Sequence, residues 1–480
     1  MIKYFKLLII LFSITSSVQS FNNTHSIQIS GKITYNKQAI SSVVVSDGIS
    51  VVVTDKKGKY KFNSSSDRTF IFYSLPSGYE SPIVDGTPVF YKAINKQTNK
   101  QQIDFELSAS KQSQTKHAFI VAGDPQVIDH DDCELLKIVI ADIEKTASSI
   151  STLMPVHAIS MGDIVFDRLE LFDTYKQIIA QTKLPFYQVV GNHDLDYNDR
   201  SDELSVKTYS SKFGPVYYSF NKGNIHYVVL KDVFYYGDTY KYMGYIDENQ
   251  LLWLEKDLAT VKSGSTVVLS LHIPTMYGES EKPKNQSLFS NSVLNKKALY
   301  KILEPFNTHI LAGHSHTQWN TIISDKLYEH THSAVCAAWW QGEIGTDGTP
   351  KGYTVYEVNG DSISWYFKAV GMQKDEQFKL YPKGSDPIHS DYFIANVYNY
   401  DTTWRVEWYE DDMLIGQMQR YWGKDPLAAS TYIPGANKKF WWLNVTETNH
   451  LFKAKIQTPN AVVKVRVTDR FGKVYEKELH

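Results

Sequence analysis

The stretch Gly191-Asn192-His193-Asp194 follows an apolar run, Phe186-Tyr187-Gln188-Val189-Val190. The run predicts a buried strand, so the polar residues lie in the loop where that strand ends. Open α/β sheets bind ligands beyond the carboxyl ends of their strands. We therefore expect Asn192 and His193 to belong to a functional site, although the four residues alone would also fit a structural turn.

Four more polar blocks each follow an apolar run of their own. They are Gly123-Asp124-Pro125-Gln126, Gly162-Asp163-Ile164-Val165-Phe166-Asp167, His272-Ile273-Pro274 and Gly313-His314-Ser315-His316. Asp, Asn and His side chains that converge from several strand ends can hold two divalent cations. In this order the five blocks resemble the calcineurin-like metallophosphoesterase family, over residues 117–370.

The resemblance implies a two-sheet α/β/β/α metallophosphoesterase core, which we place at residues 116–372. The alternation of predicted strands and helices in this part of the chain agrees with an α/β fold. Strands are predicted at 117–122, 156–161, 186–190, 217–230 as a hairpin, 266–271, 310–312 and 332–338. Helices are predicted at 134–147 and 169–180, and a third starts at an Asp247 N-cap.

The two ends of the chain predict all-β sandwiches, at residues 21–110 and 376–480. In the first, valine-rich runs flank Asp47-Gly48, and Gly58 suits a second tight turn. This region resembles carboxypeptidase-regulatory or transthyretin-like modules, and we favour a packing spacer over a sugar- or partner-binding module. In the second, Trp404-Arg405-Val406-Glu407-Trp408 alternates with period two and no helix is expected.

Residues 1–20 predict a secretory signal peptide, since Lys3 and Lys6 precede an apolar run too short to span a bilayer. We therefore expect a periplasmic or secreted protein without a transmembrane segment. The two cysteines, Cys133 and Cys336, could form one bridge in an oxidising compartment, but we favour two unpaired buried thiols.

Charge composition bears on the partners of the protein. Lys and Arg number 50 against 52 Asp and Glu, for a formal net charge of -2. No basic stripe appears, which argues against a nucleic-acid partner. A small phosphorylated substrate remains open, because metal ions can supply positive charge locally. We expect a monomer.

The family resemblance implies a ligand set for two cations, with Asp163 bridging both. The first cation is assigned Asp124, Gln126, Asp163 and His316; the second is assigned Asp163, Asn192, His272 and His314. The family usually has His where this chain has Gln126, whose amide oxygen is a harder and weaker ligand. Among Mn, Fe, Mg and Zn we therefore favour Mn. Phe166 replaces the Tyr of purple acid phosphatases, so an Fe(III) charge-transfer centre is not expected.

The resemblance also suggests roles around the metals. His193 is the candidate general acid, with Asp194 orienting it or serving as a turn residue, and Asp167 in a supporting or capping role. Candidate substrate-binding residues are Arg200, Tyr277, Trp339 and Trp340, the two tryptophans being equally suited to a core. Trp441 and Trp442 are predicted to be core residues.

These observations predict a secreted, binuclear metal-dependent phosphoesterase that hydrolyses phosphate mono- or diesters through attack by metal-activated hydroxide. Phosphorylated glycans or glycerophospho compounds would suit the compartment. The alternative is a non-catalytic glycan- or protein-binding scaffold on a decayed phosphoesterase core. Retention of every expected ligand but one, together with His193, argues against that alternative.

Overall fold

The computed structural model describes residues 24–276, 288–436 and 439–479. The predicted signal peptide and Tyr277 lie outside this part of the chain. None of the helices in the described residues is long and apolar enough to cross a membrane.

The first sheet of the core has three parallel strands continued by an antiparallel hairpin. Its strands, from one edge to the other, are Phe186–Gln188, Val156–Ser160, Lys116–Ala122, Gly352–Asn359 and Ser362–Ala369. The first three run parallel, and Lys116–Ala122 pairs antiparallel with Gly352–Asn359. The carboxyl ends of the parallel strands therefore meet at one edge of the sheet.

The second sheet is also mixed. Its strands, in order across the sheet, are Tyr218–Lys222, Ile225–Val229, Thr266–Ser270, Asn307–Ala312, Leu327–Thr331 and Trp319–Ser324. The four central strands are parallel, and an antiparallel strand closes each side. The predicted hairpin at 217–230 is thus the first strand pair of this sheet.

The two sheets pack face to face, as shown by the apolar clusters to which alternate residues of the strand Lys116–Ala122 belong. Phe119 and Val121 lie in an apolar cluster that contains residues of the second sheet, whereas Ala118 and Ile120 lie in a separate cluster with the helix His130–Ser151. Adjacent residues of a strand point to opposite faces, so one face meets the second sheet and the other meets the helix. The predicted two-sheet α/β fold is confirmed.

Helices cover the outer faces of the sheets. The described helices are His130–Ser151, Phe172–Ile179, Lys207–Phe213, Glu248–Leu258, Leu288–Asn291, Lys296–Leu303 and Pro426–Thr431. Asp247 caps its helix as predicted, by accepting from the backbone N–H groups of Asn249 and Gln250. In the first helix Leu136, Val139, Ile140 and Ile143 form the buried stripe, and Ile138 is exposed.

The N-terminal region forms two main sheets. The first has Ser26–Tyr35 at its centre, with Lys59–Ser65, Gln38–Ala39, Lys100–Gln102 and Phe105–Glu106 beside it; the second contains Tyr91–Ala93, Phe70–Tyr73, Val44–Ser46 and Val51–Val53. The hairpin at Asp47-Gly48 is confirmed, with Gly48 at a φ of 93°. Its apolar residues belong to the same cluster as those between the core sheets, so this region is fused to the core.

The C-terminal region has two four-stranded sheets around its own apolar cluster. One contains Phe378–Tyr381, Phe393–Val397, Glu447–Ala454 and Gln419–Lys424; the other contains Met413–Gln417, Arg405–Glu410, Val463–Thr468 and Val474–Glu478. The prediction that helices are absent here is wrong, because Asp425 caps the short helix Pro426–Thr431. The domain boundaries drawn from the sequence stay predictions.

The predicted strand at 332–338 is wrong. The strand of the second sheet ends at Thr331, and the following residues turn. Ala337, Trp339 and Trp340 have positive φ angles of 52°, 51° and 63°. The chain crosses here from the second sheet to the first, where the backbone N–H of Val335 donates to the carbonyl of Gly123. Cys336 in this turn and Cys133 in the first helix are buried free thiols, as favoured.

Candidate metal centre

A cavity of about 250 Å³ opens where the strand ends of the two sheets meet. The residues that line it are Gln126, Asp163, Asn192, His193, Tyr242, Asn291, His314, Ser315, His316 and Trp339. The metal-ligand candidates come from the carboxyl ends of parallel strands in both sheets, as the block pattern predicts. Tyr242, Asn291 and Ser315 are additions that sequence reasoning missed.

The backbone of the candidate ligands is unusual. Asp124, Gln126, Asp163, His314 and His316 all have positive φ, between 40° and 68°. Non-glycine residues in this region are strained, and such residues cluster at functional sites. The bend expected at His314 and His316 is therefore present. Close approach adds a constraint, since a Cβ on Gly191 would lie 2.1 Å from the backbone nitrogen of Asp163.

His272 is surrounded by atoms that favour a positive charge beside its ring. Its Nδ1–H donates to the carbonyl of Met161 at 2.7 Å, which leaves Nε2 with a lone pair in the neutral ring. Nε2 faces Oδ1 of Asn192 at 3.1 Å, Oδ1 of Asp163 at 3.3 Å and Nδ1 of His314 at 3.2 Å. Asp163, His272 and His314 can each offer one ligand atom within 4.8 Å of one another.

Titration behaviour agrees with a cation at this position. Burial opposes charge on His272, but the nearby Asp163 carboxylate outweighs burial and raises the pKa of His272 to about 10. A proton on Nε2 would thus take the place of a positive ion. Metal-ligating histidines characteristically donate their other N–H to a carbonyl or carboxylate, as His272 does to Met161. The donor set of the second cation fits a metal.

The first cation site contains unsatisfied buried atoms. Gln126 donates from Nε2 to Oδ2 of Asp163 at 2.9 Å, and its Oε1 is buried without a partner among the described residues. Nε2 of His316 is buried and equally without a hydrogen bond, 3.8 Å from Oδ1 of Asp124. Burial outweighs the effects of His272 and of the backbone N–H of His314 and raises the pKa of Asp124 to about 7, so its negative charge is only partly compensated. Orphaned polar atoms of this kind indicate an ion that completes them.

His193 is held by Asp167. Nδ1 of His193 donates to Oδ1 of Asp167 at 2.9 Å, and the backbone N–H of His193 donates to Oδ1 of Asp163 at 2.8 Å. Burial disfavours the imidazolium, but the carboxylates of Asp163 and Asp167 outweigh it and raise the pKa of His193. A histidine with a fixed orientation and a stabilised proton can act as a general acid.

The orienting role that the sequence analysis gave to Asp194 is wrong. Oδ1 of Asp194 accepts from the backbone N–H groups of Ile164 and Val165 at 2.9 and 3.2 Å, and Oδ2 accepts from Gly191 at 2.8 Å. Asp194 is fully buried and ties the Asp163 loop to the Asn192 loop. Asp194 is therefore a turn residue, which was the alternative role given to it, and Asp167 is the residue that orients His193.

Asp232 is a carboxylate near the site that the sequence analysis missed. It is fully buried, and it accepts from the backbone N–H groups of His272 at 3.0 Å and Ile273 at 2.9 Å. It therefore fixes the loop that carries His272. The signal for it was available, because Asp232 closely follows the strand Ile225–Val229, as the five recognised blocks follow their strands.

Family models match this chain in three consecutive segments. The model described as calcineurin-like phosphoesterase matches residues 101–318, that for the N terminal of calcineurin-like phosphoesterase matches 27–110, and that for its C terminal matches 329–475. Together they extend over almost all of the described residues. The chain belongs to the calcineurin-like phosphoesterase family. The family that the five blocks predicted is thereby confirmed.

Individual relatives of this calcineurin-like phosphoesterase are distant. Purple acid phosphatase 13 of Arabidopsis thaliana is 26% identical over 166 residues, which cover 32% of this chain and 28% of the relative. A probable cyclic nucleotide phosphodiesterase of Xenorhabdus bovienii is 24% identical over 180 residues, covering 37% and 64%. The chain thus covers less than two thirds of the length of these curated relatives. A solved dimetal phosphatase from Danio rerio has 15% identity and a TM-score of 0.37, and the match covers 53% of this chain and 96% of that structure.

The candidate substrate residues of this family member separate into two groups. Trp339 lines the cavity and stacks on His316, with ring centroids 4.2 Å apart. Trp340 is buried, and its Nε1 donates to the carbonyl of Pro125, so it is a core residue. Arg200 is exposed and is absent from the lining of the cavity, so the predicted phosphate clamp is not supported.

The C-terminal region supplies an outer wall to the family core. Phe166 stacks on His193 with centroids 4.3 Å apart, and Phe440 lies against Phe166 at 6.0 Å. Trp442 meets Trp339 edge to face at 4.6 Å. The prediction that Trp441 and Trp442 are core residues is wrong, since their exposed fractions are 76% and 41%. The two rings that stack on His193 and His316 are therefore both in contact with residues from the C-terminal region.

Proposed function

We propose that the chain is a secreted phosphoesterase that uses two divalent cations to hydrolyse small phosphate esters. The observation that carries the proposal is the environment of His272, whose lone pair faces the oxygens of Asp163 and Asn192 and a nitrogen of His314. Family membership supports a metal-dependent phosphoric ester hydrolase. The scaffold alternative is not favoured, because the ligand candidates converge around a cavity that also holds His193.

The cations would be shared between two sets of side chains. Asp124, Gln126, Asp163 and His316 would hold the first, and Asp163, Asn192, His272 and His314 the second. When bound, the metals supply the positive charge that activates the attacking water and neutralises the phosphoryl oxygens. We favour Mn over Zn, because Gln126 offers a hard amide oxygen where an imidazole would suit Zn.

Proton transfer to the leaving oxygen is the task of His193. Its Nδ1 is occupied by Asp167, which leaves Nε2 as the nitrogen that can give a proton to the departing alkoxide. The same bond fixes the ring plane, so the proton is held in one direction. Phe166, stacked on the ring, restricts water on that face. Asp167 is therefore a positioning residue for the catalytic His193.

Substrate selection is assigned to the wall that contains Trp339. Its indole lines the cavity and can stack on a ring carried by the leaving group. Phosphorylated glycans or glycerophospho compounds remain our substrate classes, and a signal peptide at residues 1–20 would place the enzyme where such compounds occur. The curated relatives bear names of a phosphatase and of a probable phosphodiesterase, so mono- and diester substrates both stay open.

Turnover of p-nitrophenyl phosphate and bis-p-nitrophenyl phosphate with added Mn²⁺ tests the proposal. We expect metal-dependent release of p-nitrophenol from at least one, lost in Asp163→Asn and Asn192→Ala. Asp173→Asn, an exposed aspartate that pairs with Lys212, is the matched control and should retain activity. The scaffold alternative would be favoured if the protein binds Mn²⁺ but hydrolyses neither substrate. In that case it should also hydrolyse no member of a panel of phosphorylated sugars and glycerophosphodiesters.

A further inference from the structure

A second cavity, of about 310 Å³, lies at the junction between the N-terminal region and the core. Glu80, Ser110 and Lys111 contribute to its lining from the N-terminal region and the segment after it, and Ser151, Lys183 and Lys222 contribute from the core. It shares no lining residue with the metal cavity. We call it the junction cavity.

Lys222 is the unusual residue of the junction cavity. It ends the strand Tyr218–Lys222 and is only 5% exposed. Among the described residues its ammonium group has neither a hydrogen-bond acceptor nor an ion-pair partner. Burial of a charge without a partner is strongly unfavourable, and charged groups inside proteins are normally paired. Burial lowers the pKa of Lys222, and the charge of Glu80 offsets this effect only in part.

The surrounding groups compensate Lys222 only in part, through the charge of Glu80. Burial lowers the pKa of His117 to about 4 and that of His157 well below its ordinary value, so both rings are neutral at physiological pH. Glu80 is the one acidic side chain in the lining, and it is exposed and accepts from Oγ of Ser110 at 3.1 Å. Lys111 and Lys183 line the same cavity and add positive charge.

We propose that the junction cavity binds a small anion through carboxylate or phosphate oxygens, with Lys222 as the buried counter-charge. The volume is at the lower end of ligand-binding cavities and fits a compact molecule. Lys111 and Lys183 are exposed residues of its lining and attract the anion. Because its walls come from both regions, the anion stabilises the N-terminal region against the core. This site is independent of the proposed hydrolysis.

Thermal unfolding of the metal-free full chain carrying Asp163→Asn tests the proposal, since that background cannot recruit phosphate through bound cations. The probes are sodium phosphate and sodium malonate, each compared with sodium chloride at equal ionic strength. We expect at least one anion to raise the unfolding temperature in a saturating manner. The rise should disappear when Lys222→Met is added, and calorimetric titration should lose its single binding event.

The Lys222→Met variant should also differ from its parent in unfolding temperature. In chloride, Lys222→Met should unfold at a higher temperature than its parent, because it removes an uncompensated buried charge; in the binding anion this order should reverse. Lys57→Met, in an exposed turn of the N-terminal region, is the matched control and should keep the full anion response. Lys222→Gln replaces Lys222→Met if the latter does not fold.

Three results would overturn the proposal. The first is an equal anion response with and without Lys222, and the second is the absence of any response to either anion in the parent. The third is a destabilising effect of Glu80→Gln that vanishes in the Lys222→Met background, which would make Glu80 the counter-charge of Lys222. A response to phosphate alone or to malonate alone supports the site and identifies the source of the oxygens.

Discussion

The carboxylate of Asp167 lies 2.9 Å from Nδ1 of His193, and the phenyl ring of Phe166 stacks on the other side of this pair at 4.3 Å from the imidazole. Two side chains from one neighbouring loop thus fix the imidazole ring in one orientation. His193 can then present only Nε2 to a substrate in the cavity. Loss of the contact between Asp167 and His193 should therefore mainly slow the departure of the leaving group.

Replacement of Asp167 by Asn should affect esters with poor leaving groups more than those with good ones. An alkoxide needs a proton as it departs, whereas p-nitrophenolate does not, so loss of general-acid assistance appears mainly with alkyl phosphates. We expect kcat for glycerol phosphate to fall about tenfold or more, and kcat for p-nitrophenyl phosphate to fall much less. His193→Asn should show the same pattern more strongly. An equal loss on both substrates would contradict the role.

Replacement of Asp194 by Asn should act on stability rather than on the choice of leaving group. The carboxylate accepts from three backbone N–H groups, of Ile164, Val165 and Gly191, and an amide cannot accept from all three. We expect a loss of about 2–3 kcal/mol in the free energy of unfolding, measured by urea denaturation. Asp167→Asn serves as the comparison and should unfold close to the wild-type midpoint. The reverse order of stabilities would return the orienting role to Asp194.

Gln126→His should change metal preference. The present amide has an unpaired oxygen and leaves the first cation with one weak ligand, whereas imidazole is a ligand that suits Zn. We expect affinity for Zn²⁺ at the first site to rise about tenfold relative to Mn²⁺. Metal competition followed by elemental analysis measures the ratio. A Zn to Mn ratio equal to that of the wild type would exclude Gln126 as a ligand.

Acid should destabilise the metal-free protein through its buried histidines. His117 donates from Nδ1 to Gln114 and faces the hydroxyl of Tyr227 with Nε2, and burial lowers its pKa to about 4. Between about pH 6.5 and about pH 4 the unfolded chain therefore binds a proton that the native chain does not, so stability falls as pH falls, by about 1.4 kcal/mol per unit for this group. Above that window its contribution is complete.

The dependence can be isolated by substitution. His117→Asn should flatten the pH slope of the free energy of unfolding by the share of one group, whatever its effect at neutral pH. His25→Asn, at an exposed position, is the control and should leave the slope unchanged. Identical slopes in all three proteins would mean that the pKa of His117 is the same in the native and unfolded states.

Trp442→Ala should weaken the binding of substrates that carry a ring. Trp442 braces Trp339 edge to face at 4.6 Å, so its loss frees the indole that lines the cavity. We expect KM for p-nitrophenyl phosphate or a sugar phosphate to rise about three- to tenfold, while KM for glycerol phosphate stays nearly constant. Trp441→Ala, at the exposed neighbouring position, should change neither value. A uniform rise over all substrates would remove Trp339 from substrate selection.

Much of the candidate site could be predicted from sequence because the signal is local. Each of the five ligand blocks follows a short apolar run, and parallel strands bring their carboxyl ends to one edge. The converging ligands Asp124, Asp163, Asn192 and His272 needed no knowledge of which strand neighbours which. The same logic would have found Asp232, which follows its own strand.

The choice between adjacent candidates could not be made from sequence. Asp194 directly follows His193, whereas Asp167 is 26 positions away along the chain. Only the packing of their two loops decides that the carboxylate of Asp167 meets the ring and that of Asp194 meets backbone amides. Trp339 and Trp340 differ in the same way, since consecutive left-handed residues send one indole to the cavity and the other to the core. Trp442 and Trp339 are in contact although about a hundred residues separate them along the chain.

The sequence by itself determined the family, the order of the elements and the chemistry of the ligands, because apolar periodicity and side-chain type are properties of short segments. Tertiary structure alone decided which carboxylate holds His193, which tryptophan walls the cavity, and that Lys222 is buried at a junction without a partner. Those outcomes depend on distances between residues far apart in the chain, and such distances are set only when the two sheets and the flanking regions pack together.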